Sequence, residues 1–178
     1  LSSFTRVLKA QFARGECDVI LTTEADLEPG GETIAELPLV WVGAPGGVAW
    51  KSRPLRLAYE HNCIFRQGVQ AALDRAGIPW VMAVESDSTR TVEASVSADL
   101  AVHTVLAGSE PPYVERVAHG GSLPALSRMK VNLYHAEPAH SPTVLALAEM
   151  LRRAYAQRPG RLAVVAERGA ATAAGLSP

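Results

Sequence analysis

Three times along this chain, a run of apolar residues at helical spacing ends on a turn and is followed by a short, nearly all-apolar stretch. Phe4, Val7, Leu8 and Phe12 recur at that spacing and stop at Gly15, a helix C-terminal signal, before Cys17 to Thr23. Phe65, Val69, Ala72, Leu73 and Ala76 stop at Gly77, before Trp80 to Val84. Ser86, Ser88 and Thr89 offer N-caps to a helix through Val92 and Val96, before Leu100 to Val105. Short apolar runs of this kind predict strands covered on both faces, and their alternation with helices predicts an α/β fold with a mostly parallel sheet.

Other segments punctuate that rhythm. Ala25 to Glu36 is polar, contains Pro29-Gly30-Gly31 and reads as a loop, after which Leu37 to Val42 reads as a strand. Gly43 to Pro54 holds two prolines and three glycines and reads as a connector, with a strand resuming at Leu55 to Tyr59. Beyond Pro111-Pro112 and Gly120-Gly121, Met129 to Tyr134 reads as a strand. A helix follows, marked by Pro142 at its start, by Val144, Leu147, Ala148 and Leu151, and by Arg152 and Arg153 in its last turn. The segment after Gln157, rich in Ala, Gly and Arg, is assigned no element. The Pro/Gly-rich stretches near 43–54 and 119–128 divide the chain. We expect one lobe from residues 1–54 and 127–178, a second from 55–126, two strands crossing between them, and a ligand cleft where the lobes meet.

Charge narrows the function. The 17 basic and 18 acidic side chains of the 178 residues leave a net charge of −1, so no global field draws the chain to nucleic acid or an anionic membrane. With 48% hydrophobic and 20% charged residues, the chain has enough apolar material for a core and too little charge density for a disordered one. No apolar run is long enough to span a bilayer and no basic-then-apolar leader opens the sequence, so a cytoplasmic location is expected. Cys17 and Cys63 form neither a disulfide framework nor a metal-ligand spacing. His61, His103, His119, His135 and His140 show no paired spacing on a helix face and are read as incidental; no metal or other cofactor is expected. The GxSxG, Walker, GxGxxG and HExxH signatures are absent, and Asp18, Asp74 and Glu85 read as caps and solvated carboxylates, so the chain reads as a binder and not an enzyme.

The runs Phe12-Ala13-Arg14-Gly15-Glu16-Cys17-Asp18-Val19-Ile20-Leu21, Leu37 to Val42 and Pro54-Leu55-Arg56-Leu57-Ala58, with Cys63-Ile64-Phe65-Arg66, resemble the effector-binding domain of LysR-type transcriptional regulators. Ala71 to Trp80 and Glu85-Ser86-Asp87-Ser88 continue the resemblance to the helix with Val92 and Val96. It implies a type 2 periplasmic-binding-protein-like fold with two lobes joined by two crossing strands. It further implies that the chain starts after the family's first strand and helix, and that DNA is contacted only through an N-terminal winged helix-turn-helix domain that this sequence does not contain. One departure concerns a turn: where the family carries Ala-Gly-Leu-Gly, this chain reads Ala98-Asp99-Leu100-Ala101, with neither glycine.

The expected ligand is a small-molecule effector, with carboxylate metabolites the leading class. Free N–H groups and hydroxyls at helix starts hold such anions, and the candidates are Ser2 and Ser3, Thr22 and Thr23 at a strand end, and Ser86, Ser88 and Thr89. Each serine has an ordinary alternative as an N-cap. Cys63, Phe65 and Arg66 open the second-lobe helix: Arg66 suits a two-pronged bond to a carboxylate or a surface ion pair, Phe65 a lid over an apolar ligand or core packing, Cys63 a reactive thiol or a buried filler. A homodimer or tetramer is expected through the helices Phe4–Arg14 and Phe65–Ala76, for which core packing is the alternative. Two rival functions share the fold: an enzyme, which would need a converging acid/base pair in the cleft, and a solute-binding protein serving a transporter, which would carry an export signal.

Overall fold

The computed structural model describes residues 4–136 and 141–157. In chain order the elements are α1 (Thr5–Ala13), β1 (Val19–Glu24), β2 (Gly31–Gly43), a 3-10 turn (Ala49–Lys51), β3 (Leu55–Glu60), α2 (Arg66–Arg75), β4 (Trp80–Ser86), α3 (Thr89–Ser97), β5 (His103–Leu106), β6 (Glu115–Arg116), β7 (Arg128–His135) and α4 (Pro142–Ala156). The helix–turn–strand units predicted from apolar spacing are all present, and Pro142 opens α4. Among the described residues no helix is long and apolar enough to cross a membrane.

The sheet directions correct the expectation of mostly parallel pairing. Strands run in the order β1-β7-β2-β5 with every neighbour antiparallel, and β6 joins β2 in the same sense. Among the described residues only β3 with β4, and the bridge from Leu57 to Val102, are parallel. β1 and β4 also alternate in burial along their length, so they are not covered on both faces. An apolar run reports burial and says nothing about the direction of its neighbours.

β2 is longer than its apolar half. The polar residues from Gly31 to Glu36, expected to lie in a loop, pair instead with β7, with a bulge between Thr33 and Ala35. Strand propensity is weak, and a well-formed partner strand overrides it. Partners change in mid-strand: Gly31 to Pro38 face β7, whereas Leu39 to Val42 face β5. The change of partner thus falls at Pro38–Leu39, ahead of the 43–54 connector. The segment leading into β7 runs beside it, where Leu39 N–H bonds the Ser127 carbonyl at 3.0 Å and Trp41 Nε1 bonds the Pro124 carbonyl at 3.0 Å.

Around β3 the core has two faces. Leu55, Leu57 and Tyr59 pack with Val69 and Leu73 of α2, and with Trp41, Ala49 and Leu123. Ala58 packs on the opposite side with Val92 and Val96 of α3 and with Val42. At the other end of the molecule α4 lies against β2 and β7, tied by Arg152 to Glu32 at 2.8 Å.

α1, α2 and α3 end on the same hydrogen-bond motif. The residue two past the last helical one adopts a left-handed conformation, and its neighbour's N–H reaches back five residues, as in Glu16 to Gln11, Ile78 to Leu73 and Leu100 to Ser95. Gly15 and Gly77 occupy the left-handed position in α1 and α2, but in α3 it is Asp99, at φ 55°. The turn thus forms without the family's glycine. Asp99 offsets its backbone cost by accepting hydrogen bonds from the N–H groups of Val48 and Ala49, at 2.9 Å each, at the head of the 3-10 turn. Those two bonds hold its carboxyl below the usual aspartate range. Asp99→Gly keeps the turn and loses the acceptors, and is expected to cost about 1 kcal/mol. Asp99→Ala also places a Cβ-bearing residue without local bonds in the left-handed region, for about 2–3 kcal/mol in all. Urea unfolding of the two variants checks this, and equal losses would refute it.

Candidate functional site

A cleft of about 1140 Å³ opens between the α1–β1 unit and the segment joining β3 to α2. One wall comes from the start of α1 and the end of β1, the other from residues 60–67 and from β5. The site thus lies at the carboxyl end of β3 and the amino end of α2, where open α/β sheets place ligands.

Four of the sequence-predicted residues meet in this lining: Thr23, Cys63, Phe65 and Arg66. Ser2 and Ser3 lie outside the described residues. Thr22 does not line the cleft; its buried hydroxyl is donated to the Glu24 carboxylate at 2.9 Å. Ser86, Ser88 and Thr89 stay outside the lining too. They sit at the end of β4 and the start of α3, and the cleft residues nearest them in the ion-pair network, His61 and Arg66, are already bound to Glu85 and Asp87. Ser88 is the residue before α3, as predicted, but makes no side-chain cap.

Arg66, Phe65 and Cys63 each have protein partners of their own. Arg66 forms a two-pronged pair with Glu85, at 2.9 and 3.2 Å, and this pairing holds the Glu85 carboxyl below its usual range. A ligand carboxylate would have to compete for that guanidinium. Phe65 lines the cleft and also packs on the core beside Cys63, so the two readings of this residue coexist. Burial pushes the Cys63 thiol up to about 11, so it stays protonated at neutral pH and is no activated nucleophile.

Sequence reasoning missed the most connected group of the site. Glu24, the last residue of β1, is 8% exposed and accepts four side-chain hydrogen bonds. Its Oε1 takes Lys9 Nζ at 2.6 Å, and its Oε2 takes the Thr22 hydroxyl, Asn132 Nδ2 and the Tyr134 hydroxyl, each at 2.9 Å. Lys9 also reaches Glu28 at 2.7 Å and lies 4.8 Å from the Tyr134 ring centroid. A Cβ on Gly31 would meet that ring at 2.4 Å, so only glycine at this register position lets Tyr134 reach across. The signal available in the sequence was a carboxylate ending an apolar strand, with a tyrosine and an asparagine on another strand two residues apart.

His103, read as incidental, lines the cleft as well. Its Nδ1 lies 2.7 Å from the Ala58 carbonyl, which fixes the proton on that nitrogen and leaves Nε2 an acceptor in the neutral ring. Burial, the largest influence, holds its pKa below the usual histidine value. The ring leans on Tyr59 at 4.6 Å, and Tyr59 and Thr104 share a buried hydrogen bond of 2.7 Å.

Burial works against ionisation of Glu24, but its bonds from Lys9, Asn132, Tyr134 and Thr22 outweigh burial and lower its pKa below 4.5. A carboxyl whose folded pKa is depressed contributes stability above its unfolded value and loses it as pH falls through the folded one. The wild-type chain should therefore lose stability on acidification below about pH 4.5, the ordinary glutamate value. Glu24→Gln should cost about 1–3 kcal/mol at pH 7, since charge-assisted bonds are lost, and show a flatter acid limb. Thermal unfolding between pH 3 and 7 distinguishes the two, and parallel pH profiles would contradict this assignment.

Solved structures of several regulators share this architecture. The regulatory domain of CcmR from Synechocystis PCC6803, in complex with 2-PG, matches with a TM-score of 0.63 at 10% identity, over 87% of this chain and 81% of that one. The effector binding domain of QuiR, in complex with shikimate, matches at 0.61 and 13% identity, over 86% and 79%. The BenM effector binding domain with benzoate matches at 0.58 and 14% identity, over 88% and 77%. At these identities the likeness establishes the fold, periplasmic-binding-protein-like with two lobes. No curated protein matches the sequence. The LysR substrate binding domain matches residues 2–156, most of the chain, and the protein belongs to that family.

Proposed function

We propose that the chain is the ligand-sensing part of a LysR-type transcriptional regulator, in which a small metabolite enters the cleft and shifts the orientation of the lobes. The observation that carries this reading is the position of the cleft. Its walls belong to two units that meet through β2 and the returning segment, so a ligand touching both walls favours one relative placement over another. The output would pass to DNA through a winged helix-turn-helix domain elsewhere in the regulator, inside the cell, and through a homodimer or tetramer. The complexes of CcmR with 2-PG, QuiR with shikimate and BenM with benzoate support a small-molecule effector.

For the lobes we propose residues 55–126 as one and the flanking segments as the other, with Leu39 to Pro54 joining the first by packing, since Trp41 and Ala49 share a core with Leu55 and Leu57. Thr23, Cys63, Phe65 and Arg66 are the sequence-predicted residues we retain for the ligand site, with Glu24, Glu60 and His103 added. Ser2 and Ser3 are retained from the sequence alone. Ser86, Ser88 and Thr89 would act through the ion pairs of Glu85 and Asp87.

A thermal-shift screen of the chain against small metabolites, shikimate and benzoate included, tests the reading. A ligand present at a hundred times its Kd should stabilise the fold by about 2.7 kcal/mol and raise Tm in a concentration-dependent way. Ile64→Arg, an exposed position lining the cleft, should abolish that rise, whereas Ser88→Arg, outside it, should not. The reverse pattern would move the site to the start of α3, and a screen in which nothing shifts Tm would count against sensing by this cleft.

A further inference from the structure

The charged groups that line the cleft are nearly all satisfied by one another. Lys9 lies between Glu24 and Glu28, Arg66 faces Glu85, and Glu24 has four donors. Two groups stand apart. Glu60, at the carboxyl end of β3, lines the cleft with 5% of its residue surface exposed, and its carboxylate makes no hydrogen bond or ion pair with any described residue. Arg6, exposed on α1 and lining the same cleft, likewise makes no hydrogen bond or ion pair among the described residues.

A carboxylate that opens into a cleft without a protein partner can take a ligand's donors without giving up bonds of its own. Two of its neighbours have their donors committed elsewhere. The Tyr59 hydroxyl is committed to Thr104, and the single ring proton of neutral His103 is committed to the Ala58 carbonyl. His103, which also lines the cleft and feels the Glu60 charge, keeps Nε2 as an acceptor in its neutral ring. The Glu60 carboxylate beside this acceptor suits a group with several N–H bonds carrying positive charge better than it suits an anion.

Building on the sensing function proposed above, we propose that the effector is a zwitterion of the α-amino acid type, its ammonium seated on Glu60 and its carboxylate facing Arg6. The unpartnered acceptor lies on the β3–α2 wall and the unpartnered cation on the α1 wall, so one small molecule with both charges would complete both and draw the walls together. A simple carboxylate would complete only Arg6 and would be repelled by Glu60.

Isothermal titration of the chain with the twenty common amino acids, their deaminated acids and their decarboxylated amines tests this. At least one amino acid should bind about tenfold or more tighter than its deaminated acid, the worth of one charge-assisted hydrogen bond. Glu60→Gln should remove that difference, and Arg6→Gln should weaken the amino acid and the acid while sparing the amine. The unliganded Glu60→Gln chain should melt no lower than the parent, because the carboxylate makes no hydrogen bond or ion pair that the substitution could remove; a clearly lower Tm would make Glu60 a structural residue and overturn the proposal. Deaminated acids binding as tightly as amino acids, undiminished amino acid binding by Glu60→Gln, or no binding by any of these probes would also overturn it. A carboxylate bound in the first of these cases, and lost in Ile64→Arg, would leave the sensing reading standing.

Discussion

β2 belongs to two sheets' worth of neighbours at once, and the other elements are placed by that double membership. Its first half is held between β7 and the α4 side, its second between β5 and β6, and the exchange falls at Pro38, a residue with no N–H to commit to either partner. Because the return segment bonds Leu39 and Trp41 through Ser127 and Pro124, the two crossings form a narrow double connection. A narrow connection between two packed bodies is the usual place for a hinge, since few backbone torsions must change to reorient either side.

The cleft that results is rigid on its floor and chemically open at its walls. On the floor, Glu24 gathers donors from α1, β1 and β7, so the helix that carries Arg6 and Lys9 is fixed relative to the sheet by charge-assisted bonds. On the facing wall, β3 is buried on both sides between α2 and α3 and delivers Glu60 at its end from a fully packed strand. Such preorganisation lets a ligand form its polar contacts without ordering the groups that make them.

Asp99 illustrates how a fold absorbs a departure from a family pattern. A glycine would enter the left-handed turn after α3 without strain; aspartate meets strain there, but its side chain supplies two acceptors that glycine lacks. The turn and the 3-10 segment fifty residues earlier thereby become one unit, which stiffens the body that carries β3.

The order of helices and strands, their approximate bounds and the glycine that ends α1 and α2 were written in local apolar spacing, because each depends on residues within one or two turns. The family pattern in Cys63 to Arg66 likewise led to one wall of the cleft. Strand direction, the extension of β2 back to Gly31 and the crossing at Pro38 could not be read there, since pairing depends on residues about a hundred positions away in the chain, such as Tyr134 opposite Gly31. The same separation hid the site's electrostatics. Glu24, Glu60 and Arg6 look alike in sequence, three ordinary charged residues near element ends. Only the tertiary structure decided that Glu24 meets four donors, that the Glu60 carboxylate reaches the cleft with none among the described residues, and that Arg6 lines the same cleft, because the energy of a charge is set by burial and by partners that arrive from distant strands.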